Sequence, residues 1–139
     1  MKAAMNNLLH TDQTDLDLNV YFKCLISIAK ADGKIHAAEK EYIERLGQYL
    51  SVNVDRIWEE VPLSREDISN AEMSKMTKFA ILRECIILAE VDGVYDEMER
   101  KKIIELANLM QLTEEDVQVL EQWIQDFWLL MQRADVLVS

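Results

Sequence analysis

Hydrophobic residues recur along most of the chain three and four residues apart, the spacing of amphipathic helices. The first predicted helix opens near Thr14, and its inner face is formed by Leu18, Phe22, Leu25, Ile26 and Ala29. This helix should end at Asp32-Gly33, because glycine readily adopts the left-handed conformation that commonly follows a helix.

Six further helical segments are predicted from the same spacing. They cover about residues 37–50, a short stretch around 57–58 that ends at Pro62, a turn opening at Ser64, residues 72–91, residues 97–110, and a last helix starting at Thr113. The long fifth helix is predicted to turn inward Met73, Met76, Phe79, Ile86 and Ile87. The last helix is predicted to bury Val117, Leu120, Trp123, Ile124, Phe127 and Leu130.

These elements predict an all-α, single-domain bundle of about seven helices. The chain has 139 residues, enough for one core without disulfides, and its three glycines and one proline supply few of the turns that a β-sandwich needs. Residues 1–13 are predicted to be a flexible lead-in or a short helix. Residues 14–139 are predicted to form the helical domain.

The chain repeats itself at an offset of sixty residues. The identical pairs are Ile26 and Ile86, Ala29 and Ala89, Asp32 and Asp92, Gly33 and Gly93, Glu39 and Glu99, Ile43 and Ile103, and Leu46 and Leu106. Repeat one covers about residues 16–60 and repeat two about residues 72–133. Two helix-DG-loop-helix units related by a pseudo-twofold axis are the expected consequence.

Each repeat contains a DG…E loop that matches the second half of an EF-hand calcium loop, in which an Asp precedes the turn glycine and a Glu closes the loop. The first half does not match, since Ile28 and Lys30, or Leu88 and Glu90, stand where leading carboxylates belong. A complete EF-hand is therefore not predicted. The second loop is richer in acids than the first.

The candidate metal ligands are the paired acids Asp32, Glu39, Asp92 and Glu99, with Glu90 and Asp96 as secondary candidates. Carboxylates are hard oxygen ligands, and the loops contain no Cys and no pair of His. The fitting ions are therefore Ca²⁺, Mg²⁺ or Mn²⁺. A purely structural interpretation stays open, in which the glycines turn the chain and Asp96 and Glu99 form a capping box. In that case no cofactor is bound.

The segments AKADGKIHAAEKEYIERL and AEVDGVYDEMERKKIIEL resemble the TerB-like family, which includes the tellurite-resistance protein TerB and the N-terminal region of DjlA-type co-chaperones. The resemblance covers about residues 16–128. It implies an all-helical fold with two related halves, an acidic centre at Asp32, Glu39, Asp92 and Glu99 that binds divalent metal, and a link to tellurite or other stress. Lys30 departs from the acidic or neutral residue expected beside the first loop.

The chain is acidic, with 26 Asp and Glu against 15 Lys and Arg and a net charge of −11. This charge repels nucleic acid and anionic membrane surfaces, and it favours cations or basic protein surfaces as partners. Acidity is also a route to solubility. Cys24 and Cys85 lie in apolar helical runs and are predicted to be buried and unbonded, and with no signal peptide or membrane span apparent, a cytoplasmic location is expected.

No enzyme is predicted, because neither His10 nor His36 has a catalytic partner at a convincing spacing and His36 falls at a helix N-cap. The predicted function is a non-enzymatic module that binds a divalent cation through its DG…E loops. The alternative is an interaction scaffold or homodimerising domain whose loops are structural. The last helix is apolar on more than one face, which indicates either a central position or a subunit contact.

Overall fold

The computed structural model describes residues 18–31, 33–59, 65–70, 73–91, 93 and 95–139. Within these ranges the chain is all-α. The helices are α1 (Leu18–Ala29), α2 (Ala37–Tyr49), α3 (Val54–Glu59), α4 (Arg65–Asn70), α5 (Lys75–Glu90), α6 (Glu97–Leu109) and α7 (Glu114–Val138). The predicted all-α fold is confirmed. The lead-in of residues 1–13, Pro62 and Ser64 lie outside the described residues.

Helices α1 and α5 pack against each other at the centre of the bundle, and α2, α3, α6 and α7 surround them. The core is formed by residues with almost no exposure, the largest being Phe22, Leu25, Ile28, Ile43, Ile81, Leu82, Ile86, Leu88, Ile103, Leu106, Met110 and Ile124. Cys24 and Cys85 belong to this core and form no disulfide, as predicted. No helix in the described part of the chain is both long and apolar enough to cross a membrane.

The arrangement of helices matches at the sixty-residue offset. Helices α2 and α6 both have 13 residues and begin sixty residues apart. Contacts within one half have counterparts in the other, since α1 packs on α2 and α3 as α5 packs on α6 and α7. Contacts between the halves are also reciprocal, since α1 packs on α6 and α5 packs on α2. This pattern agrees with the predicted repeat. Superposition of the two halves stays a prediction.

The turn after the first helix of each half requires a glycine. Gly33 and Gly93 have φ values of +81° and +84°, and the N–H of each bonds to the carbonyl oxygen three residues earlier, at 3.0 Å in both cases. A side chain is disfavoured in this left-handed region. The turn carries the chain from α1 into α2, and from α5 into α6, at the level of the DG…E loops.

Two predicted inner faces are wrong in part. The spacing predicts that Met76 and Leu130 lie inside, but their side chains are 42% and 60% exposed. Helix α5 turns other apolar residues inward, namely Ala80, Ile81, Leu82, Cys85, Leu88 and Ala89. Because α5 is covered on several sides, no single stripe identifies its buried face. Leu130 is exposed because α7 continues past the end of the core, where Ile124 is its last buried residue.

Candidate functional site

Glu39 and Glu99 occupy equivalent positions in the first turns of α2 and α6. Each is the third residue after its helix N-cap, which is His36 for α2 and Asp96 for α6. Both side chains point into the bundle, with exposures of 1% and 2%. Such burial is unusual for glutamate, which is almost never fully buried unless it is paired. The position at a helix N-terminus favours negative charge and offsets part of the cost of burial.

The carboxyl group of Glu39 lies close enough to that of Glu99 to perturb its ionisation. Burial is the largest cause of a raised pKa at Glu99, followed by the charge and hydrogen bonding of Glu39 and the charge of Asp96. A backbone hydrogen bond from Asp96 partly offsets them, and the pKa of Glu99 lies at about 8. Two neighbouring carboxylates repel each other, so the pair favours a proton held on one of them or a bound cation. The closing glutamates of both DG…E loops thus lie together in the bundle.

Oε2 of Glu99 receives no hydrogen bond from any donor in the described part of the chain and is buried. A buried carboxylate oxygen left in this state is costly. Two arrangements remove this free-energy cost. Either a proton is held between the two glutamates, or both carboxylates bind a cation. Carboxylate oxygens suit Ca²⁺, Mg²⁺ and Mn²⁺, so the donor set fits the ions expected from the sequence.

Asp32 and Asp92, the other two members of the predicted centre, lie outside the described residues. Within the described ranges, no three Asp, Glu, His or Cys side chains are grouped closely enough to hold an ion. Of the four predicted ligands, the structure therefore brings Glu39 and Glu99 together. The four-carboxylate centre stays a prediction.

The two secondary candidates belong to different surroundings. Asp96 lies beside the glutamate pair and caps α6, since its Oδ1 accepts the N–H of Glu99 at 2.8 Å. Glu90 faces Glu121 instead, and burial followed by the charge of Glu121 raises the pKa of Glu90. Arg100 binds Glu121 through Nε and Nη2, at 3.0 Å each, and so holds this second cluster together. Glu90 is thus part of the α5–α6–α7 contact.

His36 occupies the N-cap of α2, as the sequence predicts, and its side chain forms no capping hydrogen bond. In the second half, Asp96 at the equivalent position does cap its helix. The two halves therefore differ in the polar residue that opens the helix carrying the buried glutamate.

One buried polar cluster was not predicted. The hydroxyl of Tyr42 donates to Oε2 of Glu84 at 2.6 Å, and Arg83 forms an ion pair with the same glutamate. Burial, followed by the charge of Glu84, raises the pKa of Tyr42. The signal in the sequence is the adjacent Arg83 and Glu84 inside the apolar run FAILRECIIL. Its position between α2 and α5 indicates that it fixes the packing of these helices.

Comparison with protein-family models, with curated proteins and with solved structures returned no match for this chain. The TerB-like resemblance therefore rests on the two DG…E segments, and it stays a prediction.

Proposed function

We propose that this chain is a non-enzymatic helical module that takes up one hard divalent cation at Glu39 and Glu99, with Asp32 and Asp92 as further ligands. The ion is Ca²⁺, Mg²⁺ or Mn²⁺. The observation that supports this most strongly is the buried pair of neighbouring glutamates, with no donor in the described part of the chain to Oε2 of Glu99. A divalent ion would replace the shared proton and satisfy both carboxylates.

The number and type of oxygens support the same ions. Glu39 and Glu99 can together offer up to about four oxygens, and the loop aspartates could raise this number towards the six to eight that Ca²⁺ prefers. The net charge of −11 raises the local concentration of cations around the whole molecule. Softer ions such as Cu⁺ are disfavoured, because Cys24 and Cys85 lie in the core.

The biological setting is proposed from the resemblance to TerB-like proteins, which associates such modules with tellurite or other stress. On this proposal the cation would stabilise the contact between the first turns of α2 and α6, and so tie the two halves of the bundle together. The module would then respond to the ion by becoming more rigid at that contact.

The proposal is tested by the thermal midpoint of chelator-treated protein with and without each ion. An ion at a hundredfold excess over its Kd would stabilise the fold by about 2.7 kcal/mol, a rise of about 10 °C for a domain of this size. The variant Glu99→Gln should lose this gain. The matched control is Glu97→Gln, which removes an exposed carboxylate from the same helical turn and should keep it.

If no ion raises the midpoint, or if Glu99→Gln gains as much as the wild type, the DG…E loops are structural. The shared proton then accounts for the glutamate pair, and the interaction scaffold replaces the cation module as the proposed function.

A further inference from the structure

The last helix extends well beyond the body of the protein. Helix α7 has 25 residues, but the last buried one is Ile124. Residues 125–138, here called the arm, continue as helix for about 21 Å at 1.5 Å per residue. Most of the arm's side chains are exposed, including large apolar ones, namely Trp128, Leu129, Leu130, Met131, Val136, Leu137 and Val138. A helix that is apolar and uncovered in this way indicates a contact surface.

The stripe of a coiled coil begins just before the arm and continues along it. Its members are Trp123, Phe127, Leu130, Ala134 and Leu137, spaced alternately by four and three residues. Leu130 and Leu137 are 60% and 85% exposed, so the body of the protein does not cover this stripe. An alternating spacing of four and three residues keeps one apolar seam facing a second helix. The pattern therefore indicates that a second helix packs along this stripe.

An apolar groove on the body continues this stripe. It lies between α5 and α7 and is lined mainly by Met76, Phe79 and Ala80 from α5 and by Val119 and Trp123 from α7. Towards the arm, the ring of Trp123 stacks on that of Phe127, with centroids 5.7 Å apart. A helix lying along the arm would reach this groove with its far end.

We propose that the partner is a second copy of this chain, bound through α7 in an antiparallel pair centred near Leu129 and Leu130. In this arrangement each arm lies along the stripe of the other copy, and Val136 and Leu137 of one copy reach Trp123 and the groove of the other. The contact is the same on both copies, as a twofold axis requires. The proposal is independent of cation binding at Glu39 and Glu99.

The charges along the arm favour the antiparallel direction. Asp126 and Arg133 are seven residues apart and therefore lie on the same edge of the stripe. An antiparallel pair brings the same edges of both helices together in reversed order, which places Arg133 beside Asp126 of the second copy. A parallel pair would bring these charges against Met131 and Val138 instead. No ion pair in the described part of the chain already engages Arg133.

The size and charge of the surface also suit self-association. The seven large apolar side chains of the arm expose several hundred Å², and the groove adds to this, against the roughly 800 Å² that each partner buries in a standard interface. Residues 125–138 contain two aspartates and one arginine, so the arm carries little of the chain's net charge of −11. Two arms can therefore pair without the repulsion that the rest of the surface would impose.

The oligomeric state tests the proposal. Light scattering coupled to size exclusion should give twice the chain mass of 16.2 kDa. The variant Leu130→Glu/Leu137→Glu should give the single chain mass at micromolar concentration with unchanged helix content. The control Gln132→Glu adds charge to the opposite face of the arm and should remain dimeric. A monomeric wild type, or a dimer that survives Leu130→Glu/Leu137→Glu, overturns the proposal and leaves the arm to a different partner.

A charge exchange tests the direction of pairing. In a symmetric dimer each single variant, Asp126→Arg or Arg133→Asp, places like charges at positions 126 and 133 beside each other twice. This repulsion should raise the Kd of the dimer about tenfold. The double variant Asp126→Arg/Arg133→Asp should restore the wild-type Kd, measured by sedimentation. Since a foreign partner could not compensate in this way, restoration supports the antiparallel pair. Failure to restore the Kd overturns it.

Discussion

Replacing Glu99 by Gln should change how the stability of the metal-free protein depends on pH. The pKa of Glu99 lies at about 8 in the folded protein, because burial and the neighbouring Glu39 oppose its ionisation, against 4.5 for an ordinary glutamate. A raised pKa means that the folded state binds the proton more tightly than the unfolded state. The stabilisation is therefore complete below pH 4.5 and is lost as the pH rises through 8.

The size of the effect follows from the interval between the two pKa values. In that interval the free energy of unfolding falls by up to about 1.4 kcal/mol for each pH unit, which amounts to about 5 kcal/mol in total. The amide of Glu99→Gln can donate to Glu39 at any pH and carries no charge. The free energy of unfolding of the variant should therefore exceed that of the wild type by a margin that grows between pH 4.5 and 8. The margin should grow by up to the total given above and stay constant above pH 8.

The assay is urea unfolding followed by far-ultraviolet circular dichroism at half-unit steps from pH 5 to 9, with chelator present throughout. Glu97→Gln serves as the control, since its carboxylate is exposed in the same turn of α6, and its profile should run parallel to that of the wild type. If the Glu99→Gln profile is also parallel to the wild type, the glutamate pair does not share a proton and the reasoning about its burial fails.

Three further changes test the packing. Gly47→Ala would place a Cβ 2.7 Å from a methyl group of Val54, so the urea midpoint should fall by an amount equivalent to about 1–3 kcal/mol. A stabilised variant would mean that α3 can move aside. Thr113→Ala removes the capping box of α7 and should cost about 1 kcal/mol in the same assay. Cys24 and Cys85 are fully buried, and burial raises the pKa of both thiols, so a thiol reagent should label them only after unfolding; rapid labelling of the folded protein would contradict this burial.

The sequence predicts the fold well where local rules determine it. The helix ends near Gly33 and Gly93 follow from the backbone freedom of glycine. The start of α6 follows from the capping preference of Asp96. The meeting of Glu39 and Glu99 agrees with the pairing of the two DG…E segments at the sixty-residue offset, which a twofold arrangement brings together.

Other features depend on tertiary packing and could not be predicted from spacing. Met76 and Leu130 lie on apolar helices whose pattern does not reveal how far the core extends. The deep burial of Glu39 and Glu99 also escapes spacing rules, because the same positions suit an exposed capping residue. The nearness of Glu90 to Glu121, which follows it by 31 residues in the chain, also depends on tertiary packing.

The most direct test of the proposed cation site is calorimetric titration of chelator-treated protein with Ca²⁺, Mg²⁺, Mn²⁺ and Zn²⁺, in parallel for the wild type and for Glu39→Gln/Glu99→Gln. The account predicts saturable binding of one ion per chain for at least one of the first three ions, weaker binding of Zn²⁺, and no binding by the double variant. Absence of binding by the wild type to all of the first three ions, or equal binding by the double variant, would contradict it.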